Sequence, residues 1–309
     1  MTSRPPSEAR ELEGTILVTG GSGFLGSSLV RRLVRDGHAV VCPTRSTDRD
    51  DLEPGATWER CDLADKRDVD SLFATAKPDV VFHIAGLASG IREPSNVEPT
   101  LAGNLVASVN VLLAALAAGT RRVVLTGSYE EPEIGAAPRS PYAASKAAAT
   151  AYARMFSLLY GLSTVVLRPA MVYGPGQRDA SKLIPYVTRC FLNGEAPQLS
   201  SGVRTVDWVY IDDVTDAYLA AAVTPGIDSE VIDVGSGQLH SIREVVETLA
   251  AKTGASTPAR FGELADRPAE LAGAADTSRA LELLGWQART SLDEGLSRTV
   301  EAVRALIGP

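Results

Sequence analysis

The sequence predicts an α/β fold, a doubly wound parallel sheet with a smaller C-terminal α/β lobe. From Gly14 onward, short Val/Ile/Leu runs alternate with Ala-rich helical patterns, the rhythm of parallel strands covered by helices on both faces. The run from Thr15 to Val30 passes from an apolar, β-rich stretch through a cluster of glycines into a helical pattern. After Val165-Val-Leu-Arg-Pro169 the composition changes, and Gly174-Pro-Gly-Gln177 marks a loop.

Strands are expected at 15–19, 39–44, 56–60, 79–84, 121–126 and 163–168, with helices near 24–36, 66–76, 97–118 and 142–160 between them. Beyond the loop the pattern gives a helix from Ser181 to Asn193, a strand from Val206 to Ile211 with its helix, and a strand from Val231 to Val234. Two or three helices complete the chain. The two later strands are expected to extend the sheet.

Gly20, Gly21, Gly23 and Gly26 satisfy the dinucleotide fingerprint in its strand-to-helix setting, which makes the sheet Rossmann-type. One glycine permits the tight turn, one lets the backbone approach a pyrophosphate, and one lets helix pack on strand. The N–H groups of Phe24 and Leu25 then meet phosphate at the helix N-terminus. The expected organisation is a disordered tail over 1–13, a dinucleotide-binding domain over 14–175 with 205–234, and a substrate-binding lobe over 176–204 with 235–309. A cleft between lobes is the usual place for a small ligand.

Tyr142 and Lys146 lie in Ser140-Pro-Tyr-Ala-Ala-Ser-Lys146, and residues four apart share a helix face. A free tyrosine has a pKa near ~10, so it moves protons at neutral pH only where a cation or dipole favours the phenolate. Lys146 is expected to supply that field. An isolated Tyr-x-x-x-Lys is more often a packed Tyr beside an exposed Lys; the upstream glycine turn reverses that reading.

The formal charge of −8 and the pI of about 5.1 do not favour nucleic acid as a partner. Ligand phosphates must be met locally. Cys42, Cys61 and Cys190 are widely spaced and form no Cys-x-x-Cys pair, which fits reduced thiols in a cytoplasm and no metal site. The opening Met1 to Glu11 is polar and has no secretory h-region. The longest apolar stretches, such as Val109 to Ala118, fall short of the ~20 residues that span a bilayer, so a soluble protein with no membrane partner is expected.

Thr19-Gly-Gly-Ser-Gly-Phe-Leu-Gly26, Asp62-Leu63, Phe82-His-Ile-Ala-Gly86, Asn104, Thr126-Gly-Ser128 and Tyr142/Lys146 occur in one order with Arg168-Pro-Ala-Met-Val-Tyr-Gly-Pro175, Asp207-Trp-Val-Tyr-Ile-Asp-Asp213 and Leu284-Gly-Trp286. Over nearly its whole length the chain thereby resembles the extended short-chain dehydrogenases/reductases, in the nucleotide-sugar epimerase, dehydratase and ketoreductase group. The resemblance implies a catalytic set of Ser128, Tyr142 and Lys146: Ser128 on the substrate oxygen, Tyr142 exchanging its proton, Lys146 on the nicotinamide ribose. It implies cofactor contacts from Gly20, Gly23, Phe24, Leu25 and Gly26 at the pyrophosphate, Asp62 and Leu63 beside adenine, and Ala85 and Gly86 along the ribose. Ser128 and Asp62 also read as turn caps, and Asn104 as a helix hydrogen bond. His83 and the Asp212/Asp213 pair are read as structural, a strand-end packing residue and a helix N-cap.

A 2′-OH-binding acid is expected about 20 residues past the glycines, where this chain has Val40-Val-Cys-Pro-Thr-Arg-Ser46. Arg45 with a Thr/Ser pair accepts a 2′-phosphate, which favours NADP(H) over NAD(H); Arg45 as a solvated loop residue with Asp48 holding NAD is the other reading. By resemblance, NADPH goes with net reduction and retained NAD with epimerisation. Gly127-Ser-Tyr-Glu-Glu131 is similar to the corresponding run of reductases of 4-keto-6-deoxy sugar nucleotides, and Glu130 keeps the place of a dehydratase's proton-abstracting Glu.

Three departures bear on the substrate. Ser128 and Tyr142 are closer in sequence than the family usually has them, Met171 stands where many members have a diphosphate-binding Asn, and Val206 where many have an Arg. Arg204 or Arg267 is placed to supply the missing charge. The leading expectation is an NADPH-dependent ketoreductase of a nucleoside-diphosphate 4-keto-(6-deoxy)hexose. The alternatives are an NAD-dependent nucleotide-sugar 4-epimerase, a reductase of non-sugar carbonyl compounds, and a non-catalytic dinucleotide-sensing regulator. The Ala-rich helices at 97–118 and 142–160 also imply, by resemblance, a homodimer; packing within the monomer is the other reading.

Overall fold

A computed structural model of the chain describes residues 12–48, 50–133, 135–266 and 273–307. Most of the expected tail over 1–13, and Arg267, lie outside the described residues. The first half runs β1 (Ile16–Thr19), α1 (Phe24–Arg35), β2 (Val40–Thr44), β3 (Thr57–Arg60), α2 (Lys66–Ala76) and β4 (Val80–His83). A helical run containing α3 (Val97–Thr100) and α4 (Ala107–Ala118) leads to β5 (Arg122–Thr126), α5 (Pro141–Tyr160), β6 (Thr164–Pro169) and β7 (Met171–Tyr173). The rest comprises α6 (Leu183–Leu192), β8 (Gln198–Leu199), β9 (Thr205–Tyr210), α7 (Ile211–Val223), β10 (Val231–Val234), β11 (Leu239–Ser241), α8 (Ile242–Thr253), β12 (Arg260–Phe261), α9 (Ser278–Leu284) and α10 (Leu292–Ile307).

The central sheet has seven strands in the order β10-β6-β5-β4-β1-β2-β3. Its pairings from β3 through β6 are parallel. Ile16 to Val18, Val80 to Phe82 and Val123 to Leu125 are completely buried, because helices cover both faces and each strand must be apolar on both sides. Helices α2, α4 and α5 close one side through a cluster that includes Leu72, Phe73, Val111, Leu112 and Phe156. The outer strand β3 exposes Thr57, Glu59 and Arg60, which discourages pairing with another chain.

Three expectations change. The helix foreseen over 97–118 is a composite: a 3₁₀ turn at Pro94–Asn96, then α3, a π-helical segment at Leu101–Val106, then α4. It is long and apolar enough, by length and composition, to cross a bilayer, unlike the shorter stretch apparent in sequence. It packs instead against α2 and α5, with the side chains of Asn96, Asn104 and Asn110 buried and hydrogen-bonded.

The strand over 206–211 does not extend the central sheet. It begins at Thr205 as β9, in a separate three-stranded sheet ordered β11-β9-β7, parallel to β7 and antiparallel to β11; only β10 joins β6. A two-stranded pairing, β12 with β8, was not foreseen, since two-residue strands carry no periodicity.

The chain divides into two compact units. One takes the chain through Arg168 with Thr215–Ile232 and Arg279–Trp286; the other takes Pro169–Val214, Asp233–Ser278 and the chain from Gln287. Residues 169–175 and 205–214 therefore group away from the dinucleotide-binding segment, because β7 finds its partner in β9. In the second unit, the buried carboxylate of Asp207 organises two loops. One oxygen accepts from Ser236 N (2.8 Å) and Ser236 Oγ (2.7 Å), the other from Gly237 N and Ala275 N (3.0 Å each).

Candidate active site

The turn after β1 is built by glycine. Gly20 has φ +71°, and a Cβ there would lie 2.7 Å from Ala85 N; a Cβ on Gly26 would lie 2.0 Å from Gly20 O. The first forces the turn against the end of β4, the second seats α1 on the turn. Gly23 is the N-cap of α1, with its N–H on Gly20 O at 2.9 Å, and Phe24 and Leu25 open the helix. First-turn N–H groups have no intrahelical acceptor, so this end can take an anion.

Beyond β4, the segment Ala85 to Leu87 is held at both ends. Ala85 N–H donates to Thr19 Oγ1 (3.2 Å), and Leu87 N–H to Asn104 Oδ1 (2.6 Å). Asn104 sits in the π-helical segment and donates through Nδ2 to Ser145 Oγ at 2.8 Å, while Ser145 Oγ donates to Tyr142 O at 2.8 Å. A Cβ on Gly86 would come within 2.8 Å of Asn104 Oδ1 and 3.1 Å of Lys146 Nζ, so only glycine leaves this wall open.

Ser128, Tyr142 and Lys146 come together as expected from their order. Ser140 caps α5 through a 3.1 Å bond from Ala143 N, with Pro141 following, which sets Tyr142 in the first helical turn. The Ser128 hydroxyl is near enough to Tyr142 to act on its phenol. Lys146 is buried and donates to Thr126 O at 2.8 Å. Burial lowers its pKa to about 8, with Glu131 opposing that shift. Burial likewise pushes Tyr142 up to about 12, against the lowering effect of Ser128, with Glu130 and Glu131 adding to the rise.

Lys146 does not figure among the groups that shift the Tyr142 phenol. Its ammonium is directed at the Thr126 carbonyl, and desolvation of the phenol dominates.

Sequence reasoning missed Glu131 and Thr150. Glu131 is buried, whereas its neighbour Glu130 is exposed. Its Oε1 accepts Ser128 N–H (2.8 Å) and Thr150 Oγ1 (3.0 Å). Two adjacent glutamates in a loop give no periodicity from which burial could be read. Thr150, however, continues the 142/146 spacing on α5 and was available as a signal.

Other expected residues lie as follows. Arg45 is exposed immediately after β2, where Thr44 Oγ1 is engaged with Ser46 through its O (2.9 Å) and N (3.3 Å). Asp62 accepts Ala64 N at 3.0 Å, the geometry of its turn-cap reading, and Leu63 O accepts Asn110 Nδ2 at 3.0 Å. Glu130 donates its N–H to Ser128 Oγ at 3.1 Å. In the second unit, Met171 is opposite Trp208 in the β7–β9 pairing, and Arg204 leads into β9. His83 is more than packing: its Nδ1 is 2.8 Å from Thr19 Oγ1 and its Nε2 is 2.9 Å from Ser108 Oγ.

A glycine-lined helix N-terminus on a parallel sheet, with a Ser/Tyr pair and a buried Lys at the ends of β5 and α5, defines a dinucleotide-dependent enzyme of the extended short-chain dehydrogenase/reductase class. The chain belongs to the NAD dependent epimerase/dehydratase family, whose sequence model matches residues 16–235. It is 35% identical to a UDP-glucose 4-epimerase of Mycolicibacterium smegmatis over 93% of this chain and 98% of that protein. The crystal structure of UDP-glucose 4-epimerase with UDP-glucose from Thermotoga maritima is similar at a TM-score of 0.86 and 28% identity, covering 96% of this chain and all of that one. UDP-glucose 4-epimerase of Thermus thermophilus in complex with NAD is similar at 0.82 and 28% identity, over 94% and 98% of the two chains. NAD in the family description and in the Thermus complex weighs against the NADP(H) preference read from Arg45, and toward the epimerase alternative over the ketoreductase.

Proposed function

We propose that the protein is an NAD-dependent nucleotide-sugar 4-epimerase, which oxidises a carbinol carbon of a UDP-hexose to a ketone and reduces it again from the other face. The observation that carries this reading is the convergence of Ser128 and Tyr142 with buried Lys146, in a chain so similar over its length to a UDP-glucose 4-epimerase. A nicotinamide dinucleotide held at the glycine turn supplies the acceptor and donor of hydride. Ser128 bonds the sugar oxygen, and Tyr142 takes its proton on oxidation and returns it on reduction. Lys146 holds the nicotinamide ribose, approached through the opening at Gly86.

Gly20, Gly23, Phe24, Leu25 and Gly26 bind the pyrophosphate, Asp62 and Leu63 flank adenine, and Ala85 lies along the ribose. Glu130, Met171, Arg204 and Arg267 serve the substrate. We place the enzyme in the cytoplasm, in keeping with three buried free cysteines, and as a homodimer through α3, α4 and α5.

Net reduction of a keto sugar nucleotide with NADPH is the second reading, supported by exposed Arg45 at the end of β2. Denaturing the purified protein and identifying the released dinucleotide distinguishes the two. Retained NAD with interconversion of UDP-glucose and UDP-galactose supports the epimerase; an empty site with tighter NADPH than NADH binding supports the reductase. Tyr142→Phe is expected to lower either activity by roughly 10²–10⁴-fold while leaving dinucleotide content unchanged.

A further inference from the structure

We propose that Glu131 is a positioning residue of this site, a buried carboxylate that ties the Ser128 loop to the Tyr142/Lys146 face of α5 and balances the charge of Lys146. The proposal rests on the reading of Ser128, Tyr142 and Lys146 as the catalytic set.

The geometry is specific. Tyr142, Lys146 and Thr150 follow one another at four-residue intervals on α5, so they line a single face. Thr150 Oγ1 and Ser128 N–H converge on the same oxygen of Glu131, at 3.0 and 2.8 Å. The loop after β5 is thereby anchored to α5 next to Ser128 and Tyr142. Gly127 makes room for the anchor, since a Cβ there would lie 2.5 Å from Glu131 Oε1.

The surroundings fit an anionic group. Burial raises the Glu131 pKa, and the hydrogen bonds from Ser128 and Thr150, then the charges of Arg168 from β6 and Lys146 from α5, oppose that rise. Lys146 is faced by Glu131 from the loop, by the Thr126 carbonyl at the end of β5, by His83 of β4, and by Asn104 across Gly86. Among these groups only Glu131 is a carboxylate. Glu130, its neighbour in sequence, is exposed and acts on Tyr142 instead.

Two roles follow. As an anchor, Glu131 keeps the Ser128 hydroxyl within reach of Tyr142, and small misplacements of reacting groups cost up to ~10²-fold in rate. As a counter-charge, it keeps Lys146 protonated to higher pH than burial alone allows.

The test uses full-length protein with ¹³Cε-labelled lysine. Lys66, Lys77, Lys146, Lys182 and Lys252 are the chain's lysines, so the Lys146 signal is assigned by its loss in Lys146→Arg. In wild type, Lys146 is expected to titrate near pH 8, and in Glu131→Gln about one pH unit lower. Thr150→Val, which removes one hydrogen bond but no charge, is expected to move it less. An unchanged Lys146 midpoint in Glu131→Gln overturns the counter-charge role whatever reaction the enzyme catalyses.

The anchor is read separately, in UDP-glucose/UDP-galactose interconversion. Thr150→Val is expected to lower kcat about tenfold with KM and dinucleotide content unchanged, and Thr150→Ser to restore it. Full kcat in Thr150→Val overturns the anchor role. Absence of interconversion in wild type, with the Lys146 shift intact, overturns the epimerase reading instead.

Discussion

Thr19 and His83 are joined by a hydrogen bond of 2.8 Å whose direction is set by its neighbours. Ala85 N–H donates to Thr19 Oγ1, and Ser108 Oγ donates to Asn104 O at 2.5 Å. Ser108, its proton spent on Asn104 O, must accept from His83 Nε2–H, and since burial keeps the ring neutral its Nδ1 is left to accept from Thr19 Oγ1. The imidazole is neutral, in the Nε2–H tautomer, and one directed chain runs from the β4 end to the π-helical carbonyl of Asn104.

Burial, with Lys146 nearby, lowers the His83 pKa to about 3. An unfolded His titrates near ~6.5, so between these two values the unfolded chain binds one more proton than the folded one. The stability contribution is present above pH ~6.5 and falls at about 1.4 kcal/mol per pH unit as the pH drops toward 3. Chemical denaturation at several pH values is expected to show this slope in wild type and a shallower one in His83→Gln.

Gly86→Ala introduces a methyl within 2.8 Å of Asn104 Oδ1 and 3.1 Å of Lys146 Nζ. Both groups must move, and Asn104 also holds Leu87 and Ser145. Dinucleotide affinity, measured by titration of the emptied protein, is expected to fall at least ~10-fold, a loss of about 1.4 kcal/mol.

Asp207→Ala removes the acceptor of three backbone N–H groups and the Ser236 hydroxyl in a buried setting. Each stranded donor costs about 1–3 kcal/mol, so a loss of about 3 kcal/mol or more is expected in urea denaturation. Asp207→Asn, which keeps one acceptor oxygen, is expected to lose less.

Leu158 and Leu159 at the end of α5 are 71% and 69% exposed, and Val97 and Leu101 of the composite helix are half exposed. A homodimer covering them predicts that Leu158→Ser with Leu159→Ser shifts sedimentation toward monomer. Unchanged sedimentation as a dimer would place the interface elsewhere.

The glycine turn, the strand rhythm of the first half and the Tyr142/Lys146 spacing were legible in sequence because each is set by local geometry: a turn that admits only glycine, a strand buried on both faces, one helix face. Order along the chain was also enough to name the family. What tertiary structure alone decided depends on contacts between distant residues. Strand β9 pairs with β7 rather than the central sheet, since partner choice is not written in a strand's own pattern. Asn104 sits in a π-helical segment, where its carbonyl meets Ser108 and its amide meets Leu87 and Ser145. Of the adjacent Glu130 and Glu131, folding buries only the second, because only it faces Ser128 N–H and Thr150, and a carboxyl group is carried inside only where such donors and cations receive it.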